Sequence, residues 1–424
     1  MSEIQTQQKT AFLNKFEAFQ CPVYGGMIDL RRAESRAGLE NMDLPSSRQE
    51  LWKYTRTGSI LNKEWKHVHK ANELPELPQL PGNCYVIVFL NGVWNAALSS
   101  IGTPESGLKI YPLSKATDSE LEFIQQRLGA LTTETGHFFT EVNNAFWSDG
   151  AVIRVAQNAQ VERPIHIINW VSGDQSASTT RHLIEVAQGA EVRVVQSFLN
   201  SCTTETMSNT VTEAHVSANA RLTITKIQAE ADQGHCFSRE QVKQAGDSTV
   251  QINTITATGG WVRNDVRVDV EGQNCTTNLY GTYSPEGKEL VDNHTVVDHL
   301  LPHCESNELY KGIVSGNATG VFNGKVYVRQ DAQKTNAFQQ NANIVMDDSA
   351  SMFSKPELEI YADDVKCSHG STTGQFDEDA VFYLKSRGIS ETNARRMLVH
   401  AFIGDVLDHL EEDEREYAAS FLRW

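Results

Sequence analysis

Cys367 and His369 are the side chains of this 424-residue chain whose types and spacing best suit chemistry. They lie in KPELEIYADDVKCSHG, Lys355 to Gly370, where Leu358, Ile360, Ala362 and Val365 mark extended chain. Two residues apart on a strand, both side chains project from one face. A thiolate and a neutral imidazole so placed can share one metal ion, and these ligands suit zinc, copper, iron and iron–sulfur clusters. The structural alternative has Cys367 packing as a small hydrophobe and His369 bonded in a turn. A second group, His294, His299, His303 and Cys304, lies between Asp292 and Lys311. On a strand His294 and His299 point to opposite faces, as do His303 and Cys304. Convergence on one ion would need a sharp bend at Pro302, so a structural role is expected.

Other motifs exclude more than they suggest. The seven cysteines, at 21, 84, 202, 236, 275, 304 and 367, contain no CxxC, which reads as reduced cytoplasmic thiols and excludes a self-contained zinc site of that type. Gly320 to Lys325 has three residues between its glycines, and Val326 stands where a P-loop needs Ser or Thr. Acid pairs at Asp347–Asp348, Asp363–Asp364 and Asp377–Asp379 suit solvated turns, or else the carboxylates of a β-helical carbohydrate-active enzyme, a lyase or hydrolase. The formal charge, 37 basic minus 54 acidic or −17, works against nucleic acid. No apolar run of about 18 residues suggests a membrane span. The start, MSEIQTQQKT, lacks a secretory pattern, so a cytoplasmic protein is expected.

Three regions would position these residues. Residues 1–83 read as helical: Ala11, Phe12, Phe16 and Phe19 recur at helical spacing, and Ser46 or Ser47 would cap a helix running through Glu50 and Trp52. The proline-rich ELPELPQLPG, Glu73 to Gly82, closes that region. Residues 84–388 read as β, with a mixed first part over 84–150. Cys84 to Leu90 is strand, Asn91-Gly92 a turn, and Val93 to Leu98 a returning strand. Polar turns followed by apolar residues then recur from Asn158, Gly189, Asn219, Gly246, Asn317, Asp348 and Asp377, with Gly272 to Cys275 in the longer interval. A period of roughly 30 residues with no intervening helix points to a β-solenoid; hairpins of a β-sandwich would recur at about 8–12. Residues 389–424 read as helical, with Ser390 as N-cap and an apolar stripe of Ala394, Met397, Leu398, Ala401, Phe402, Val406, Leu407 and Leu410. That stripe suits packing on the solenoid's end or docking of a partner.

The run from Lys355 to Gly370, followed by FYLKSRGI from Phe382 to Ile389, resembles the signature of the SufB/SufD family of iron–sulfur cluster assembly proteins. The run E-x-W-K-Y-T, Glu50 to Thr55, resembles that family's N-terminal motif. SufB-type members carry Cys at the position of Leu384, so the chain is similar to the branch without that acceptor thiol. The resemblance implies a right-handed parallel β-helix between helical ends, mainly β overall, and a non-enzymatic assembly subunit. It implies pairing with SufB near the C-terminal end of the solenoid, with a homodimer in its place when the chain is isolated. It also implies docking of the ATPase SufC through the C-terminal helices, around Met397, Ala401, Phe402 and Val406. His369 and, second to it, Cys367 would then supply ligands to iron or an iron–sulfur cluster held transiently and shared with SufB.

Overall fold

The computed structural model describes residues 3–17, 19, 21–68, 74–133, 136–200 and 205–423; Glu73, Cys202 and Trp424 lie outside them. Helices α1 (Glu3–Glu17), α2 (Gly26–Asn41) and α3 (Gly58–Leu61) lead into strands β1 (Tyr85–Leu90), β2 (Val93–Trp94) and β3 (Leu108–Pro112). Helices α4 (Asp118–Arg127) and α5 (Phe138–Phe146) come before β4 (Ala151–Val155) and β5 (Ile165–Val171). Long strands follow: β6 (Ala177–Val186), β7 (Glu191–Asn200), β8 (Thr206–Val216), β9 (Arg221–Ala229), β10 (Gly234–Gln244), β11 (Thr249–Thr258) and β12 (Trp261–Val270). The series continues with β13 (Thr276–Tyr283), β14 (Leu290–His299), β15 (Glu305–Val314), β16 (Thr319–Val328), β17 (Asn336–Val345), β18 (Ser351–Ile360) and β19 (Lys366–Gln375). Helices α6 (Glu378–Ser386), α7 (Glu391–Leu407) and α8 (Glu412–Ala419) end the chain.

Successive strands alternate between two sheets. Odd strands form a ten-stranded sheet with β2 beside β1 at one edge and β19 at the other; even strands and β3 form a nine-stranded sheet ending at β18. From β4 and β5 onward every pairing is parallel, so the core is the parallel β-solenoid that the repeat implies. In-register stacking puts like on like: Ile184, Ala214, Val242, Val268, Val297, Val326 and Leu358 form one inward column. The corner after each even strand is tight, with Asn158, Asn219, Asp247, Asn274, His303 and Lys334 at φ of 57–63° and Gly189 at 70°. Asx side chains and glycine tolerate that left-handed geometry. Each corner N–H bonds to the next coil, as from Asn219 to the Gly246 carbonyl (3.0 Å) and from His303 to the Gln333 carbonyl (2.9 Å).

The fold departs from the sequence expectations at four places. The turns at Asn317 and Asp348 belong to the opposite corner, after β15 and β17, and Asp377 is the N-cap of α6, its carboxylate accepting from the Ala380 N–H (2.9 Å). Helix therefore begins at Glu378, and the last part of 84–388 is not solenoid. The returning strand at Val93 to Leu98 is only Val93–Trp94, because the Asn95 side chain caps the next turn at Ala97 and Leu98. No Ser46 or Ser47 cap forms; Glu50–Trp52 is a single 3₁₀ turn. The Arg263 guanidinium takes the Leu51 carbonyl (2.9 Å), which removes an acceptor that a continuing helix would use.

Helices cover both sheets on the outside. Phe12, Phe16, Trp52, Trp65, Phe138, Phe139 and Phe146 pack on Ala177, Met207, Phe237 and Trp261 of the nine-stranded sheet. Val381, Val399, Ile403 and Val406 pack on Val195, Ile227, Ile255 and Ile313 of the ten-stranded sheet. No helix among the described residues is long and apolar enough to cross a membrane.

The interior also holds charge. Lys226 and Glu240 face each other from opposite sheets, Nζ to Oε2 2.6 Å, with Ser238 Oγ accepting from the same ammonium at 2.8 Å; both side chains are fully buried. Lys226→Met leaves a buried carboxylate unpaired and should cost about 3–5 kcal/mol in urea unfolding, while Lys226→Met with Glu240→Leu should recover most of it. Glu308, also buried, titrates at about 7 because burial penalises its charged form. A carboxyl raised in the fold stabilises at low pH, and that stability is lost as pH rises from its unfolded value through about 7. Glu308→Gln should therefore gain on the native chain between pH 5 and 8, by at most about 1.4 kcal/mol per pH unit, read from paired melts.

Candidate functional site

One inward column runs the length of the ten-stranded sheet: Tyr85, Ile165, Val194, Ile224, Ile252, Leu279, Glu308, Gln339 and His369, each in register with the next. Its first six members are apolar or aromatic. Its last three are an acid, an amide and an imidazole. Glu308 accepts from the Thr295 hydroxyl of the facing sheet and from Gln339 Nε2 at 2.6 Å. The Gln339 amide fits because residue 324 is glycine; a Cβ there would stand 2.2 Å from Nε2. Gln339 Oε1 is buried without a partner among the described residues. His369 comes next, on β19, and is exposed because no further coil stacks on it. Beyond it Ser371 Oγ meets Ser354 Oγ of β18 at 2.7 Å, closing the last coil.

Cys367 shares the face of His369 but not its surroundings. It is half-buried beside Val326, Val328, Ala332, Ala337 and Ala362, and burial pushes its thiol above the usual range. The imidazole is thus the readier donor of the two. Among the described residues no group of three or more His, Cys, Asp or Glu side chains converges.

The second sequence group is dispersed, as the alternation of a strand requires. His294 Nε2 lies 2.9 Å from Asp292 Oδ1, beside a network of Arg263, Asp265, Asp292 and His137 that ties Thr55 and Leu51 of the N-terminal segment to the sheet. His299 bonds Ser306 Oγ (2.9 Å), and burial lowers it to about 4. His303 is a corner residue. The acid pairs sit at turns: Asp347 accepts from the Gly316 N–H (2.6 Å) and Asp364 pairs with Lys334. Gly320 to Lys325 is β16, without a phosphate loop.

Of the docking residues expected on α7, Met397 is 50% exposed and Ala401 is also exposed. Val406 is fully buried against the ten-stranded sheet, which corrects its assignment to a partner face. Phe402 is half-buried, with Lys311 Nζ 5.0 Å above its ring and bonded to its carbonyl (2.8 Å). The stripe packs on a sheet face, where Tyr280 and His409 stack at 3.6 Å, and not on the solenoid's end. One arrangement has no local motif: Cys275 and Cys304 occupy equivalent places in adjacent coils. The signal for it lies in their common position, immediately after a corner residue, in a chain that repeats coil by coil.

Comparison with known proteins bears on the whole chain. The family model described as SUF system FeS cluster assembly, SufBD core domain matches residues 166–402, and that of the SufBD protein N-terminal region matches 6–167. The chain is 29% identical over 378 residues to the iron–sulfur cluster assembly protein SufD of Escherichia coli, covering 87% of this chain and 86% of that protein. It is 29% identical over 391 residues to an iron–sulfur cluster assembly SufBD family protein of Synechocystis (88% and 85% covered) and 33% identical over 294 residues to one of Mycobacterium leprae (67% and 73%). With both family models matched end to end along the solenoid and its N-terminal cover, the chain belongs to the SufBD family of iron–sulfur cluster assembly proteins.

Proposed function

We propose that this chain is a non-catalytic scaffold subunit working in the cytoplasm, which pairs with SufB through its last coil, holds the SufC ATPase through α7, and presents His369 to iron or a nascent cluster at the seam. One observation carries this reading: the imidazole that ends the column of Glu308 and Gln339 stands on the open edge of the solenoid. β19 ends its sheet with a free row of backbone donors and acceptors, and among its ten residues only Lys366 is formally charged and none is proline. Such an edge invites a strand from another chain. SufB is the partner proposed for it, with a second copy of this chain as the occupant when SufB is absent. Iron or the cluster is cargo here, and its remaining ligands would come from SufB. Imidazole is a good iron ligand in the neutral form. Cys367 is the secondary donor, since its thiol must leave an apolar niche and lose a proton.

His369→Ala should leave the complex with SufB and SufC intact and its ATPase near normal, while iron and acid-labile sulfide after anaerobic reconstitution fall. A purely structural His369 predicts the opposite pair, a lower melting temperature with normal iron. For docking, the exposed part of α7 matters and the packed part does not. Met397→Asp with Ala401→Asp should weaken co-purification with SufC at an unchanged melting temperature; Val406→Asp should instead loosen the helix from the sheet, by about 3 kcal/mol or more. Normal SufC retention by the folded Met397/Ala401 variant would remove this face from the proposal.

A further inference from the structure

Cys275 and Cys304 lie on a corner of the solenoid, Cys304 two coils before the last, in a corner column that includes Ala190, Ala220, Ser248, Cys275, Cys304 and Thr335. The backbone continues in register there: Glu305 N–H donates to the Cys275 carbonyl (2.8 Å) and Asn336 N–H to that of Cys304 (2.9 Å). The two thiols are free, and they stand at in-register places in adjacent coils, one residue before the paired Thr276 and Glu305. Each also donates toward a carbonyl of the coil before it, Cys275 Sγ to Ala245 O at 3.1 Å and Cys304 Sγ to Gly272 O at 3.2 Å. The neighbouring thiol lowers the Cys275 thiol to about 7, and the same neighbour together with burial pushes the Cys304 thiol up. Both residues are shielded from solvent, yet Asn274 and His303, their immediate chain neighbours, are exposed corner residues. The site is shallow.

Register decides what this pair can do. Adjacent strands are about 4.8 Å apart, and in-register Cβ atoms inherit that spacing. A relaxed disulfide needs Cβ atoms roughly 3.5–4.5 Å apart, so direct closure would strain both coils. A metal ion with metal–sulfur bonds of about 2.3 Å spans the gap without pulling the coils together. No third His, Cys, Asp or Glu converges with the pair among the described residues, so four-coordinate zinc lacks its ligands. Calcium and magnesium require oxygen shells. The ion that accepts thiolates and is content with two of them is soft and monovalent, of the Cu(I) class.

We propose that Cys275 and Cys304 form a two-thiolate clamp for Cu(I), built into the corner of the solenoid and separate from the seam at His369. Loading breaks two S–H bonds, forms two Cu–S bonds and releases two protons to solvent, with no electron transferred. The clamp is testable on the full chain by anaerobic titration against a chromophoric Cu(I) chelator. The native protein should withdraw one equivalent of Cu(I) from the chelator and melt at a higher temperature once loaded. Cys275→Ser and Cys304→Ser should each lose that equivalent and the rise in melting temperature. Both should fold, because Ser248 and Ala220 already occupy this column in neighbouring coils; Cys275→Ala provides a second variant if the serine form does not. Cys367→Ser and His369→Ala should keep the equivalent. Three results would each overturn the clamp: a native chain that leaves all Cu(I) with the chelator, a folded Cys275→Ala that still withdraws its equivalent, or a loss caused by Cys367→Ser alone.

Discussion

In-register parallel stacking is the constraint on which the rest of this molecule depends. Each residue of a coil lies about 4.8 Å from its counterpart in the next, so a property placed at one position is repeated, met or interrupted along a whole column. Apolar columns such as Ile184 to Leu358 gain burial from every coil added. The same stacking forbids a graceful end. A parallel solenoid finishes with one coil whose inner face and strand edges have nothing to meet, and here that coil is β18 and β19.

Polar groups inside the solenoid follow from the same rule. A buried lysine is tolerated because Glu240 and Ser238 face it across a lumen one coil high, and Tyr310 fits because residue 281 is glycine, where a Cβ would come within 2.2 Å of the ring. Glu308 is held by donors from both sheets, Thr295 from one and Gln339 from the other. These groups fix the register of their coils, since a slip by one residue would turn every one of them outward and leave its partner unpaired. Toward the open end the column grows more polar, and a histidine that would be buried neutral in an inner coil, as His299 is, becomes accessible in the last.

Much of this was legible in the sequence because it depends on local chemistry. Corner residues Asn158, Gly189 and Asn219 announced a repeat through their left-handed preference, and the two-residue spacing of Cys367 and His369 placed both on one face. What was illegible depends on partners distant in the chain. The 3₁₀ turn at Glu50–Trp52 is set by Arg263, far along the chain on β12, which takes the Leu51 carbonyl. Val406 belongs to the same apolar stripe as Met397, and only the sheet beneath α7 decides which of them is covered. The corner at Asn317 looks like that at Asn219 in sequence, although the two lie on opposite sides of the solenoid. Local motifs likewise pass over Cys275 and Cys304, which become neighbours only when the chain between them is wound into a coil.

Position along the stack therefore sorts chemically similar side chains into different roles. Cys236, fully buried in an inner coil with Gln228 Nε2 3.2 Å from its sulfur, has a thiol pushed well above its usual range and serves packing. Cys275 and Cys304 lie at a corner, just beneath the surface, where register supplies a second sulfur and the Cys275 thiol is lowered to about 7. Cys367 lies in the final coil, where one side is apolar neighbours and the other is open. The thiol is the same group in each case; the number of coils that cover it decides whether it is inert, paired or available, and for His369 the absence of a covering coil is what makes the imidazole available.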